Sequence, residues 1–317
     1  MAFFWLVVGF ALLVGGGESL VRGSAGLARK LSIPPLIIGM TVVAFGTSAP
    51  EMVVSILAGL KGQDDLAIAN VIGSNIFNTL MALGLPAIVA PISIAASVIA
   101  RELPILLVLS LVTSVMAAWG LELDRIESGI LFVGLLVFIV YSALSSRAES
   151  KEVQSEFEQV GEEESAWLLP FLIVVGGGAL VVGARLVVHG AVAIATSFNI
   201  APAIIGLTIV AIGTSLPELM TSMVAAYKGE GDIATGNALG SCVFNLLGVL
   251  GMAGSIEPLR ISPEMVWYDL PWMVMTVLLL FPLVFTQRKI TRWEGVLLVG
   301  LYVLYMTWLV VRSGIAL

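Results

Sequence analysis

The sequence predicts an all-α integral membrane protein of ten transmembrane helices arranged as two inverted five-helix repeats. Three observations carry that prediction. The chain is too apolar for water, its apolar runs fall into ten membrane-length segments, and the last five segments repeat the first five at a constant offset.

Of 317 residues, 59% are hydrophobic and 12% are charged, against about 25% charged and 45–50% apolar in soluble domains. Mean hydropathy is +1.06. A soluble fold of this size cannot bury so many uncharged stretches, whereas about 20 apolar residues span a bilayer. Short polar or Gly/Pro breaks place the segments near 3–22, 34–60, 66–90, 102–120, 126–145, 167–188, 201–227, 233–254, 267–286 and 294–312. The start, MAFFWLVVGFALLV, carries no basic leader and is read as an uncleaved first helix.

Adding 167 to a residue number in the first half gives its counterpart in the second: Pro35 maps to Pro202, Pro91 to Pro258 and Pro104 to Pro271. Between 39–78 and 206–245, 20 of 40 positions are identical, and 13 of the identities fall on Gly, Ser, Thr, Pro, Glu and Asn. Apolar helices match by chance through Leu and Val, so agreement on small and polar residues points to a shared origin. The expected division is a first repeat over 1–146, an acidic linker over 147–166 and a second repeat over 167–317. Five is odd, so the second copy enters the bilayer from the opposite side. Repeats of that kind hold substrate near the midplane, where helices are broken.

The net charge of −7 is mostly local. RAESKEVQSEFEQVGEEE (147–164) has two basic and seven acidic residues, which supplies −5 of it. This segment is read as a solvated hinge; Val153, Phe157 and Val160 could form one weak apolar face, and a weak regulatory cation site is the minor reading. Ten Lys and Arg lie on the linker side and five on the other. That bias places the linker in the cytoplasm and both termini outside a cell membrane. A single cysteine, Cys242, and a single histidine, His189, exclude an intramolecular disulfide, a zinc cluster and a His-based catalytic array. Cys242 is read as a packing residue and His189 as an interfacial one. Trp5, Trp267, Trp272, Tyr302 and Trp308 are read as an interfacial belt.

Chemistry concentrates in two matched pairs of motifs. AFGTSAPEMV (44–53) and AIGTSLPELM (211–220) put a proline and a carboxylate inside apolar segments. Pro50 and Pro217 remove a helical N–H, and the carbonyls so bared are tolerated in hydrocarbon only where they line a cavity or meet a partner. Glu51 and Glu218 follow the prolines, each costing about 2.5–3.5 kcal/mol at mid-membrane. The natural counter-charge is a mobile cation. NVIGSNIFN (70–78) and NALGSCVFN (237–245) supply the facing wall, with Ser74 and Asn78, and Ser241 and Asn245, four apart on one helical face. Thr47 and Ser48 share a turn with Glu51, as Thr214 and Ser215 do with Glu218. A site made only of oxygen suits calcium, which takes 6–8 such ligands, and sodium, rather than softer metals.

At these residues the chain resembles the calcium/cation antiporter superfamily, in particular prokaryotic-type members of the sodium/calcium exchanger family. The resemblance spans nearly the whole chain and rests on GTSAPE with GSNIFN and GTSLPE with GSCVFN. It implies ion ligation by Glu51, Glu218, Thr47, Ser48, Ser74, Asn78, Thr214, Ser215, Ser241 and Asn245, and by the backbone carbonyls of Ala44 and Ala211. It also implies that the first and sixth helices slide past the site, and that about three sodium ions exchange for one calcium by alternating access. The family's calcium/proton branch typically carries an acidic residue where this chain has Gly73 and Gly240, which leans toward sodium. Many relatives, potassium-dependent ones included, carry Asp where this chain has Asn245, and Cys242 replaces an Asn.

The residues alone leave protons or potassium as alternative counter-ions. A passive cation channel is a different class, disfavoured by the inverted halves. An intramembrane enzyme would need a nucleophile with its base, which these motifs do not offer. The expected partners are calcium and sodium ions and the lipid bilayer, with no cofactor, nucleic acid or obligatory protein partner.

Overall fold

The computed structural model describes residues 2–157, 167–198 and 211–312. In chain order the helices are α1 (Ala2–Leu31), α2 (Pro35–Thr47), α3 (Ala49–Leu60), α4 (Asp64–Val89), α5 (Val98–Gly120), α6 (Arg125–Phe157), α7 (Leu168–Ser197), α8 (Ala211–Thr214), α9 (Leu216–Tyr227), α10 (Gly231–Ile256), α11 (Met265–Phe285) and α12 (Arg292–Arg312). Eight of these are long and apolar enough to cross a membrane, and the α2/α3 pair, bent by 47°, makes a further candidate among the described residues. The seventh predicted segment, 201–227, is described only from 211 onward, as α8 and α9. Its first ten residues, with Pro202, and linker residues 158–166 lie outside the described residues.

Elements recur at the 167-residue offset. Ala44–Thr47 and α3 have their counterparts in α8 and α9, and α4 has its counterpart in α10, with matching ends. Among the described residues, four two-residue strands interrupt the helices: β1 (Ile92–Ser93), β2 (Glu122–Leu123), β3 (Leu259–Arg260) and β4 (Lys289–Ile290). β1 pairs with β4 and β2 with β3, both antiparallel, Ile92 opposite Ile290 and Leu123 opposite Leu259. Each pair therefore joins one half of the chain to the other, in the same register.

α1 and α7 differ from expectation in length. Each has 30 residues, about 45 Å at 1.5 Å per residue, well beyond the apolar segments 3–22 and 167–188. Their mutual packing, rather than hydropathy, sustains them. Gly9, Gly16 and Gly23 in α1 and Gly176, Gly183 and Gly190 in α7 are spaced by seven. A Cβ on Gly176 would lie 2.5 Å from Leu20 N and 2.8 Å from Gly16 O, and one on Gly183 would lie 2.8 Å from Gly9 O. Gly190 meets Ala2 O and Gly23 meets Leu169 O, each at 2.8 Å by the same measure. As the number in α1 rises by seven its partner in α7 falls by seven, so the helices run antiparallel, backbone against backbone.

α6 also runs longer than its predicted span. Residues 147–157, read from sequence as a hinge, continue it as helix; their Ala, Glu, Lys and Gln are good helix formers. Tyr302, expected at the interface, is buried with its ring 5.4 Å edge-on to Phe77.

α4 and α10 form the centre. In their apolar windows 72% and 83% of residues are buried, against 28–33% in the other long spans. Two glycines seat α2 on α10: a Cβ would come 2.5 Å from Leu36 O at Gly236 and 2.6 Å from Met40 O at Gly240. That close approach carries the end of α2 from one half of the chain to the polar face of α10 from the other.

Candidate functional site

Both helix breaks fall at a serine. The chain leaves helical geometry at Ser48 (φ −83°, ψ 4°) and at Ser215 (φ −93°, ψ 7°), and Pro50 and Pro217 sit in the first turns of α3 and α9. Proline suits that position, where an N–H would have no helical acceptor. Glu51 and Glu218 consequently occupy first turns, at the positive ends of the half-helices. The carbonyl ends of α2 and α8 stop at the same breaks. The Ala44 carbonyl accepts from Ser48 N at 2.9 Å and from Thr47 Oγ1 at 3.3 Å; Ala211 opens α8, and Ser215 N turns to Ile212 O at 3.1 Å.

The carboxylates are held by serines of the opposite half. Ser48 Oγ donates to Glu218 Oε1 at 3.0 Å, and Ser215 Oγ to Glu51 Oε1 at 2.9 Å. Ser215 Oγ also lies 2.9 Å from Ser74 Oγ. Thr47 Oγ1 lies 3.0 Å from Asn237 Oδ1 and 3.4 Å from Ser241 Oγ, while Thr214 Oγ1 lies 3.4 Å from Asn70 Oδ1. Thr47, Ser48, Glu51, Ser74, Asn78, Ser215, Glu218, Ser241 and Asn245 are all buried, and Thr214 is partly open. Hydrogen bonds between the halves thus lace Thr47, Ser48, Glu51, Ser74, Thr214, Ser215, Glu218 and Ser241 into a cage beside the Ala44 carbonyl, while Asn78 and Asn245 lie buried one turn beyond Ser74 and Ser241.

Four oxygens of these residues have no protein partner. Glu51 Oε2, Glu218 Oε2, Asn78 Oδ1 and Asn245 Oδ1 are buried without a hydrogen bond. A bare buried carboxylate oxygen costs several kcal/mol unless something cationic meets it. Two carboxylates, two amide oxygens and the hydroxyls around them are hard donors, the kind that calcium and sodium take. Among the described residues no group of three or more His, Cys, Asp or Glu could hold a metal. The candidate site instead sets hydroxyl and amide groups around two carboxylates.

Asn70 and Asn237 were not among the predicted site residues. Asn70 Nδ2 donates to Glu51 O (3.2 Å) and Ser55 Oγ (2.9 Å), and Asn237 Nδ2 to Glu218 O (3.0 Å) and Ser222 Oγ (3.0 Å). Each clamps a glutamate's backbone to the facing helix while its Oδ1 receives a threonine from the other half. The signal was present: both are Asn at matched positions, four before Ser74 and Ser241 on the same face. Cys242 is buried, its Sγ 3.8 Å from Asn75 O. His189 is exposed, edge-on to Trp5 at 6.0 Å.

The surroundings of the cage are not symmetric. On one side Gly17 packs against α9, where a Cβ would meet Val224 Cγ2 at 3.2 Å and Met220 O at 3.3 Å. Glu18 pairs with Lys228 and Arg29 with Glu230 (3.8 Å). The matched positions on the other side, Ala184 and Val53, instead line a cavity of about 390 Å³ together with Pro50, Val54, Arg185 and Thr214. Thr47 is fully buried while Thr214 borders this cavity.

Comparison with known proteins accords with this geometry. The family model described as sodium/calcium exchanger protein matches residues 1–144 and again 168–311. This chain belongs to the sodium/calcium exchanger family. Inner membrane protein YrbG of Escherichia coli K12 is 40% identical over 311 residues, covering 96% of this chain and 95% of that one. The sodium/calcium exchanger MaX1 of Methanosarcina acetivorans is 32% identical, covering 96% and 97%. Among solved structures, the sodium-calcium exchanger NCX_Mj soaked with 2.5 mM Na+ and 0.1 mM Ca2+ superposes with a TM-score of 0.83 at 29% identity, covering 96% of this chain and 97% of that chain. The exchanger is accordingly a multi-pass membrane transporter for cations, not an enzyme.

Proposed function

We propose that this exchanger moves calcium against sodium by alternating access, with one ion site formed by Glu51, Glu218 and the hydroxyl and amide groups laced around them. The observation that carries the reading is the reciprocal cage, in which each glutamate is held through one oxygen by the opposite half and keeps its other oxygen free. The ligand set comprises Thr47, Ser48, Ser74 and Asn78 with Thr214, Ser215, Ser241 and Asn245, and the carbonyls of Ala44 and Ala211. Two carboxylates carry about −2, which one calcium cancels. Three sodium ions would leave +1, so exchange at that ratio responds to voltage by about 2.3 kcal/mol per charge per 100 mV.

Ten spans in two inverted repeats are the architecture this requires. Support comes from the cross-half strand pairs, since β1 with β4 and β2 with β3 fall at matching span ends only if consecutive spans alternate in direction. The Lys and Arg bias favours a cytoplasmic linker. The α1/α7 pair is the moving element, resting on α9 on one side and separated from α3 by the cavity on the other.

Calcium-45 uptake into sodium-loaded proteoliposomes tests the exchange. Dilution into choline or potassium buffer at fixed pH is expected to drive uptake, equal sodium on both sides to suppress it, and a valinomycin-set voltage to change its rate. Uptake driven by a pH gradient and indifferent to sodium would overturn the counter-ion.

Alternation makes a second prediction. The Glu18–Lys228 pair has Arg185 and Lys61 as its counterparts, two like charges. Closing the cavity side brings them together, so Lys61→Glu should favour that closure. Exposed pairs contribute about 0.2–1 kcal/mol, so maleimide labelling of a cysteine at Val54, in a Cys242→Ser background, is expected to slow by up to about fivefold. Faster labelling would contradict the proposed motion.

A further inference from the structure

The two halves of the cage differ at one pair of positions, Asn75 in α4 and its counterpart Cys242 in α10, and the hydrogen bonding follows from that difference. Asn75 Nδ2 faces Cys242 O at 3.4 Å and Met273 Sδ at 3.7 Å. A carbonyl and a thioether can only accept, so the amide nitrogen of Asn75 belongs there and its Oδ1 must point the other way. That oxygen receives Asn245 Nδ2 at 3.0 Å. Asn245 therefore turns its own Oδ1 away from Asn75, and this atom is buried without a partner.

Backbone geometry reinforces the asymmetry. Asn245 lies in a π-helical turn, Phe244–Val249, whereas its counterpart Asn78 lies in regular α-helix. A π turn of this kind re-aims the side chains around it and recurs at functional sites. Asn78 has both side-chain polar atoms buried and unpartnered. Where an amide would stand to orient it, the chain has Cys242, whose thiol faces the Asn75 carbonyl.

We infer that Asn75 is a positioning residue that sets the amide of Asn245 so that a fixed oxygen faces the bound cation, while Asn78 stays free to rotate. The inference rests on the cation-site reading above and adds a specificity device to it. A preset oxygen avoids the cost of ordering a loose amide when the ion arrives. It benefits most the ion that needs many oxygens at once, calcium. Sodium, needing fewer, depends less on it.

A double-mutant cycle on calcium uptake separates this role from packing. A carboxylate presents oxygen at both ends, so in an Asn245→Asp background nothing needs orienting. Asn75→Leu alone is expected to raise the calcium KM about tenfold and leave the maximal rate within about twofold, the size expected for one lost orienting hydrogen bond. In the Asn245→Asp background the same change should move KM by less than about twofold. Equal effects in both backgrounds would mean a packing defect and overturn the assignment, as would an unchanged KM in Asn75→Leu. Cys242→Asn provides an independent arm, since it supplies Asn78 with an orienting amide. A severalfold lower calcium KM is expected, and an unchanged one counts against the inference. Loss of sodium-driven uptake in the wild type would instead remove the exchanger reading itself.

Discussion

Glu51→Gln and Glu218→Gln each reduce sodium-driven calcium uptake to below about 1% of wild type, while the protein reaches the membrane in normal amount. Losing one charged ligand from a buried site costs about 3–5 kcal/mol, enough by itself for at least a hundredfold loss of affinity. The substitution also harms the site it leaves behind. Ser215 Oγ can still donate to an amide oxygen at position 51, but the amide NH2 then occupies the place of Glu51 Oε2, the oxygen left without a donor. A donor points where a cation should bind. The same holds at Glu218 with Ser48. The check is calcium-45 uptake normalised to protein in the vesicles, and near-normal uptake in either variant would sink the assigned site.

Gly176→Leu is expected to lower transport more than about tenfold, and Gly178→Leu to leave it nearly unchanged. Any Cβ at Gly176 falls 2.5 Å from Leu20 N, a backbone atom that no rotamer change can move. Overpacking of this kind costs about 1–3 kcal/mol where the surroundings can adjust. Here adjustment means separating α1 from α7 along the glycine seam. Gly178, two residues on, is exposed on the same helix, so the pair of variants separates the seam from hydrophobicity and helix propensity. Comparing calcium uptake and detergent-extracted yield for both variants decides the matter. Equal transport by the two would mean that the close approach of α1 and α7 is not needed for turnover.

Much of the site was legible because its chemistry is local. GTSAPE and GTSLPE each place a hydroxyl pair, a helix break and a carboxylate within a few residues, and a proline inside an apolar run has few meanings in a membrane. Asn70 and Asn237 were passed over for a related reason. An asparagine near a helix start reads as ordinary polar decoration until its Nδ2 is seen on a glutamate backbone 19 residues away. The lengths of α1 and α7 were misjudged because hydropathy ends at a charge, whereas a helix held by backbone packing need not. The hinge reading of 147–157 gave way to helix because a polar stretch of good helix formers has no reason to unwind after leaving the apolar span.

The sequence by itself determined the solvent, the repeat and the inventory of the candidate site: apolar segments of bilayer length, a 167-residue offset, and oxygen-bearing side chains at matched positions. These follow from composition and from the helical period, both readable along one chain. Only the tertiary structure decided which residue holds which. Ser48 meets Glu218 rather than Glu51, and Asn75 Oδ1 receives Asn245 rather than Asn78, across separations of 170 residues. Pairings of that range depend on how closely two backbones approach, and here Gly236 and Gly240 on α10 and the glycine seam of α1 and α7 set that distance. A side chain's neighbours in the other half are fixed by those contacts, and no pattern within either half encodes them.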